Sequence, residues 1–339
     1  MCYDYFVFSE IKMDPKEQQF LDDNGLVFIK IIAKGTFGVI YQVYSEQFRS
    51  NFALKKIPEK LFSDQEVQCL IAIDDPKIVS LYKYYKFNGN IYLLMEFCMT
   101  DLQRILIQNP KIQTEQLRKY ITDMVKCVKA CHDKNIAHCD IKPANFMIDA
   151  YGRLKIGDFG LSAIYKDKPK SLDFKGSGFY MSPEIFCRRI YNPIISDMWA
   201  LGVSIYFITT KRFPFEANTE REFYAKLQSG KYNTSLIQDP LLAEVIAGCL
   251  ELEPRKRLTV DQLLELPYFT ETSKKTEAKI SLNRTMPLLR NQDIILKPKV
   301  ENKNKLITFQ SSTHNLFRNS SFMRLQLIDV SKSSDTFNI

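Results

Sequence analysis

Between residues 97 and 101 the hydrophobic period of this chain changes from that of strands to that of helices. Leu26–Ile32, Val39–Tyr44, Phe52–Ile57, Val79–Phe87 and Ile91–Phe97 are rich in β-branched and aromatic residues, the signature of strands. Asn88-Gly89-Asn90 joins the last two as a tight hairpin. One helical segment, Ser63–Ala72, interrupts the series. From residue 101 onward Leu117, Tyr120, Ile121, Met124, Val125, Val128 and Cys131 recur at spacings of three and four, and Thr114 is the expected cap of that helix. A short hairpin is expected over Asn145–Ile156, turning at Tyr151-Gly152, and helices then dominate to Leu266. A strand lobe followed by a helix lobe is an α+β architecture with a cleft between the lobes, where ligands commonly bind.

Composition limits the alternatives. Of 339 residues, 45% are hydrophobic and 25% charged, enough for a sizeable core. The longest nearly apolar run, Met198–Ile208, is shorter than the ~20 residues a spanning helix needs, so no membrane span is expected. No basic patch precedes the apolar residues after Met1, and the eight cysteines form no CxxC pair. Reduced thiols in an intracellular protein of cytoplasm or nucleus are therefore expected, and three histidines leave a zinc site little to build on. The net charge is +8, but residues 270–339 contribute +6 of it. That segment has no glycine, nine Ser, seven Thr and seven Asn, and no sustained apolar period, with short apolar knots at Ile294–Leu296 and Phe322–Ile328. It reads as a poorly ordered basic tail suited to an acidic partner; nucleic-acid binding would rest on charge alone.

The chemistry-bearing residues fall at turns. Ala33-Lys34-Gly35-Thr36-Phe37-Gly38-Val39-Ile40 joins the first two strands, and two glycines let backbone N–H groups approach a polyphosphate. A plain hairpin would look the same. Lys55 lies in the third strand, where a solvated lysine is the bland reading. His138-Cys139-Asp140-Ile141-Lys142-Pro143-Ala144-Asn145 offers a base, a cation and a metal ligand, and Asp158-Phe159-Gly160 brings a second carboxylate 13 residues after Asn145. Oxygen donors of this kind suit Mg²⁺, which keeps substrate phosphates among its ligands.

In order and spacing this set resembles the eukaryotic protein kinases, from about Leu26 to Phe269. Ser182-Pro183-Glu184, Asp197-Met198-Trp199-Ala200-Leu201-Gly202 and Glu253-Pro254-Arg255-Lys256-Arg257 extend the match. The resemblance implies a bilobal fold: a five-stranded antiparallel N-lobe with one helix and a larger helical C-lobe over residues 26–269. Residues 1–25 would be an extension and 270–339 a tail. It implies ATP and Mg²⁺ as cofactors and a protein Ser/Thr hydroxyl as acceptor. Asp140 would be the catalytic base and Lys142 would neutralise the transferred phosphoryl group. Asn145 and Asp158 would hold the metal. Ile32, Ala33, Lys34, Gly35, Thr36, Phe37, Gly38, Val39, Ile40 and Lys55 would bind nucleotide, with Met95 as gatekeeper and Glu96 and Cys98 on the adenine edge. Glu184 and Arg257 would form a structural ion pair, Asp197 would brace the catalytic loop, and His132 and Trp199 would be core.

Two points stay open in the sequence. Glu66 stands in the register of the family's helix glutamate, partner of Lys55, yet Ser63-Asp64-Gln65-Glu66 is also a capping box, and Glu59 is a substitute partner. Cys139 replaces the usual arginine, Ala33 the first glycine and Ser177 the usual threonine. A pseudokinase scaffold, binding partners through its body and basic tail, is the alternative to an active enzyme.

Overall fold

A computed structural model describes residues 13–35, 38–109, 111–165, 169–270 and 328–329. Thr36, Phe37, the knot at Ile294–Leu296 and nearly all of the tail lie outside the described residues.

Helix α1 (Pro15–Asp23) precedes strands β1 (Leu26–Gly35), β2 (Gly38–Ser45) and β3 (Ser50–Pro58). Helix α2 (Asp64–Ala72) follows, then β4 (Leu81–Phe87) and β5 (Asn90–Glu96). The five strands pair antiparallel in the order β1-β2-β3-β5-β4. Each predicted strand appears within a few residues of its expected bounds. Asn88 and Gly89 turn the β4–β5 hairpin with φ of 46° and 68°, the left-handed geometry that an Asn-Gly turn provides.

The helical lobe begins with β6 (Thr100–Asp101), α3 (Leu102–Gln108) and α4 (Thr114–His132). Strands β7 (Ile136–Ala137), β8 (Phe146–Ile148), β9 (Leu154–Ile156) and β10 (Ala163–Ile164) carry the loops of the cleft. Helices α5 (Pro183–Phe186), α6 (Pro193–Thr210), α7 (Glu220–Ser229), α8 (Pro240–Cys249) and α9 (Val260–Leu264) complete the lobe. Strand β11 (Ile328–Asp329), which starts at the last residue of the apolar knot Phe322–Ile328, runs parallel to β4 at Tyr85 and Lys86.

Thr114 does not cap α4. Gln113 holds the extended backbone that a cap requires, makes no side-chain cap bond, and leaves Thr114 as the first helical residue. Helix α6 has the length and hydropathy of a membrane span, but 72% of it is buried in the fold, where Met198, Trp199, Leu201, Val203 and Ile205 are inaccessible. It is the central core helix of its lobe.

The strand alternation sorts β3 between two cores. Ile57 joins a continuous cluster running through Leu70, Leu93, Met95, Phe146 and Phe159 to α4 and α6. Leu54 faces the other way, into a second cluster with Phe20, Leu21, Tyr85 and Tyr92, which α1 covers. Lys55 and its neighbour Lys56 therefore project from opposite faces of the same strand.

Candidate active site

Three charges meet on the inner face of β3. Lys55 Nζ lies 2.7 Å from Glu66 Oε1 and 2.8 Å from Asp158 Oδ1. Burial alone would lower the Lys55 pKa, but the two carboxylates outweigh it and the ammonium is pushed up to about 12. Burial would raise the Asp158 carboxyl, yet the Lys55 charge holds it below the usual carboxylate range. The open reading of Glu66 is thereby resolved in geometry: Ser63 Oγ accepts the Gln65 N–H, while the Glu66 carboxylate turns inward to Lys55 rather than back to the cap. Glu59 instead pairs with Lys86.

The loop after β7 supplies the opposite wall. Asp140 Oδ2 accepts from Lys142 Nζ at 2.7 Å and from Asn145 Nδ2 at 3.1 Å, and Oδ1 accepts from Ser177 Oγ at 2.7 Å. Asn145 Nδ2 also donates to the Asp140 carbonyl at 2.7 Å, which leaves Asn145 Oδ1 to accept from, or ligate, another group. This loop is strained: Cys139 has a φ of 62°, a left-handed conformation costing roughly 1–2 kcal/mol in a non-glycine residue. Asp197 offsets the cost. Its Oδ2 accepts the His138 N–H at 2.7 Å and its Oδ1 the Cys139 N–H at 2.8 Å. Bonds to a charged acceptor are worth about 1.5–3 kcal/mol each, so the two outweigh the strain.

His138 ties this loop to the next. Its Nε2 faces the Gly157 carbonyl at 2.9 Å, and its ring packs edge-on against the buried Phe159. With Phe159 in the core, Asp158 is turned toward the cleft, at a φ of 60°.

Between the walls lies a cavity of about 310 Å³. Ile32, Ala33, Ile40, Lys55, Met95, Glu96, Cys98, Asn145 and Asp158 line it, so most of the described residues expected to hold nucleotide converge there. Ala53, Val79 and Met147 add apolar walls that the motifs did not single out. Lys34, Gly35, Gly38, Val39 and Glu66 lie outside its lining, on the turn or behind Lys55. At Gly38, φ is 143° and a Cβ would stand 1.9 Å from the Lys56 carbonyl oxygen, so only glycine lets the turn rest on β3.

A family profile described as the protein kinase domain matches residues 26–269. The chain belongs to the protein kinase family. It is similar to a Dictyostelium discoideum protein named "Probable serine/threonine-protein kinase MARK-A", 28% identical over 82% of this chain and 27% of that protein. It is 26% identical to the carbon catabolite-derepressing protein kinase of Saccharomyces cerevisiae, over 71% of this chain and 39% of that one. With sperm motility kinase 2B of Mus musculus it shares 31% identity over 61% of this chain and 43% of that one. The chain thus spans less than half the length of these relatives.

In this kinase domain a buried ion pair lies at the end of β5. Glu96 accepts from Lys155 Nζ at 2.7 Å, and Lys155 is fully buried. Glu96 also accepts the Ser80 N–H at 3.2 Å, so its carboxylate braces the strand junction. Neither Lys155 nor Ser80 stood out in the sequence, because one lysine in a strand carries no local signal of its partner. Burial, followed by the Glu96 charge, pushes the Cys98 thiol up to about 12, so it is a neutral wall of the cavity.

The segment after Asp158 is pinned at three points. Ser171 and Tyr191 exchange backbone hydrogen bonds at 2.9 and 3.0 Å, and the Tyr191 hydroxyl donates to the Asp173 carbonyl at 2.9 Å. Lys142 Nζ donates to Ser177 Oγ at 2.8 Å. Glu184 receives a two-pronged bond from Arg257, at 2.7 and 3.1 Å. Burial would raise the Glu184 carboxyl, but Arg257 holds it below its usual range. His132, expected as core, is half-buried and also partners Asp197, its Nε2 lying 3.0 Å from Oδ2. Trp199 is core, stacked on Phe215.

Proposed function

We propose that this chain is a serine/threonine protein kinase, transferring the γ-phosphoryl group of ATP to a protein hydroxyl. The observation that carries the reading is the joint placement of Lys55, bonded to both Glu66 and Asp158, and of Asn145 in the lining of one cavity, with Asp140 bonded to Asn145 and Lys142 beside it.

Each residue has work to do in that reaction. The cavity's apolar walls suit an adenine ring, with Met95 limiting its depth. Lys55 would hold the α- and β-phosphates, its charge fixed in place by Glu66. The donor set fits Mg²⁺: Asn145 has a carbonyl oxygen to offer and Asp158 a carboxylate kept ionised by Lys55. When bound, the ion supplies charge neutralisation on the phosphate oxygens. Asp140 would orient the substrate hydroxyl and take its proton as the oxygen–phosphorus bond forms and the bond to the ADP oxygen breaks. Lys142 would stabilise charge on the moving phosphoryl group. Lys142 follows Asp140 by two residues, and Ser177 contacts both; this pattern, with Gly176–Glu184, supports a Ser/Thr rather than a tyrosine acceptor.

Incubation of the purified chain with Mg²⁺ and γ-labelled ATP over a Ser/Thr and Tyr peptide library tests this. Transfer to Ser or Thr supports it. Nucleotide binding without transfer to any peptide would favour the scaffold alternative.

A further inference from the structure

Helix α1 lies before the residues that match the kinase domain, yet it carries one of the few buried charges of the described residues. Asp14 and Pro15 start it, and Glu17, Phe20 and Leu21 fall on the face that meets the sheet, all of them buried. Phe20 stacks on Phe87 with ring centres 4.7 Å apart and meets Tyr85 edge-on. Glu17, 5% exposed, sits where a hydrophobic residue would complete the same seal. Its Oε1 accepts from the Tyr92 hydroxyl at 2.9 Å and its Oε2 from Lys56 Nζ at 2.8 Å.

Stability alone does not account for this carboxylate. Replacing an ion pair that contains a buried carboxylate with packed apolar side chains is often neutral or stabilising, whereas in some proteins such a pair serves to fix one geometry. What it fixes is specific here. Lys56 follows Lys55 in β3, and the two side chains leave opposite faces of the strand. Lys56 pairs across the sheet with Val39 on one side and Tyr92 on the other. Its carbonyl is the surface on which Gly38 rests. A cavity of about 150 Å³ beneath α1 is lined by Glu17, Ile31, Lys34 and Val39, the last two paired at the base of the glycine turn. One side chain of α1 therefore holds the strand that carries Lys55 and the residue that supports the turn. Burial, then the Glu17 charge, raises the Tyr41 and Tyr92 phenols far above their usual range, so both stay protonated and Tyr92 remains a donor to Glu17.

We propose that Glu17 is a positioning residue for nucleotide, acting through Lys56 and Tyr92 to hold β3 and the glycine turn in register over the cleft. This rests on the kinase reading above for its nucleotide. Helix α1 is then part of the working catalytic unit, although the family profile begins after it.

The test uses the full chain and its Glu17→Gln, Lys56→Gln and double variants, all assayed well below their melting temperatures. The dissociation constant for Mg-ATP is measured by calorimetry, and KM is measured separately for ATP and for a peptide. Glu17→Gln is expected to weaken Mg-ATP binding and raise the ATP KM about fivefold to tenfold, the scale of a small misplacement, with the peptide KM unchanged. Lys56→Gln is expected to do the same, and the double variant no more than either single one, since they break one interaction. If Glu17→Gln fails to fold, Lys56→Gln breaks the pair from its partly exposed side and carries the comparison. Variants that melt lower but keep the parent's nucleotide affinity and ATP KM would overturn the proposal, and so would single effects that multiply in the double variant. A parent chain that binds Mg-ATP but transfers no phosphate would overturn the kinase reading, while the binding constants would still decide the role of Glu17.

Discussion

Glu66 Oε1 and Lys55 Nζ meet at 2.7 Å on the inner wall of the cleft, with the Glu66 side chain 4% exposed. The helix carrying Glu66 is therefore docked, and the ammonium is held where a triphosphate would lie. Glu66→Gln keeps the shape and removes the charge. We expect kcat/KM for ATP to fall about 10²-fold, the scale of a catalytic group misplaced by a fraction of its reach, with the fold intact by circular dichroism. Lys55→Met should abolish turnover. Parent-like kinetics in either variant would refute the assigned roles.

Much of this arrangement was legible in the sequence because motif residues sit on turns whose spacing is stiff. Gly35 and Gly38, Asp140 to Asn145, and Asp158 to Gly160 each span one loop, so order and spacing constrain their placement. Glu66 was ambiguous because a capping box and a helix glutamate share the same local pattern; only the distant Lys55 decides between them. Helix α1 was missed since its nine residues gain order from packing Phe20 and Leu21 on the sheet, a tertiary effect. The two-residue strands β6, β7 and β10 have no pattern of their own to read. Glu96–Lys155 and His132–Asp197 were invisible for the same reason: partners 59 and 65 residues apart leave no trace in local spacing.

Activity should not depend on phosphorylation of the segment after Asp158. An arginine at position 139 would offer a phosphate a fork of donors, which cysteine lacks. Ser171 is already tied through its backbone to Tyr191, and Asp173 is an acid at the position four residues before Ser177. Phosphatase treatment is expected to change peptide phosphorylation by less than about twofold, since Cys139 offers a phosphate no charge-assisted contact. A tenfold or greater loss, restored by phosphorylation at Ser171, would contradict this.

The Glu184–Arg257 pair should dominate acid sensitivity of the helical lobe. Glu184 binds protons less readily folded than unfolded, so its stabilisation is complete above the unfolded carboxylate pKa and is lost as pH falls through the lower folded value. Breaking a buried pair from one side costs about 3–5 kcal/mol. Glu184→Gln should therefore lower the melting temperature at pH 7, with a smaller further drop between pH 5 and 3 than the parent shows. Equal acid slopes in the two proteins would locate the sensitivity elsewhere.

Removing residues after Thr270 should leave a folded, active chain. Among the described residues the only strand lost is the two-residue β11, and a ladder that short contributes about 1 kcal/mol. Limited proteolysis should stop near residue 270 in the full chain. Aggregation or inactivity of the shortened chain would show that the tail is part of the catalytic body.

Asp140→Asn tests the central claim most directly. The substitution keeps the side chain's size and its place beside Lys142, Asn145 and Ser177, but removes the carboxylate that would accept the proton. Rates of γ-phosphoryl transfer from Mg-ATP to a Ser/Thr peptide, measured beside nucleotide affinity, are predicted to fall about 10²–10⁴-fold with affinity unchanged. Transfer at the parent's rate would contradict the account.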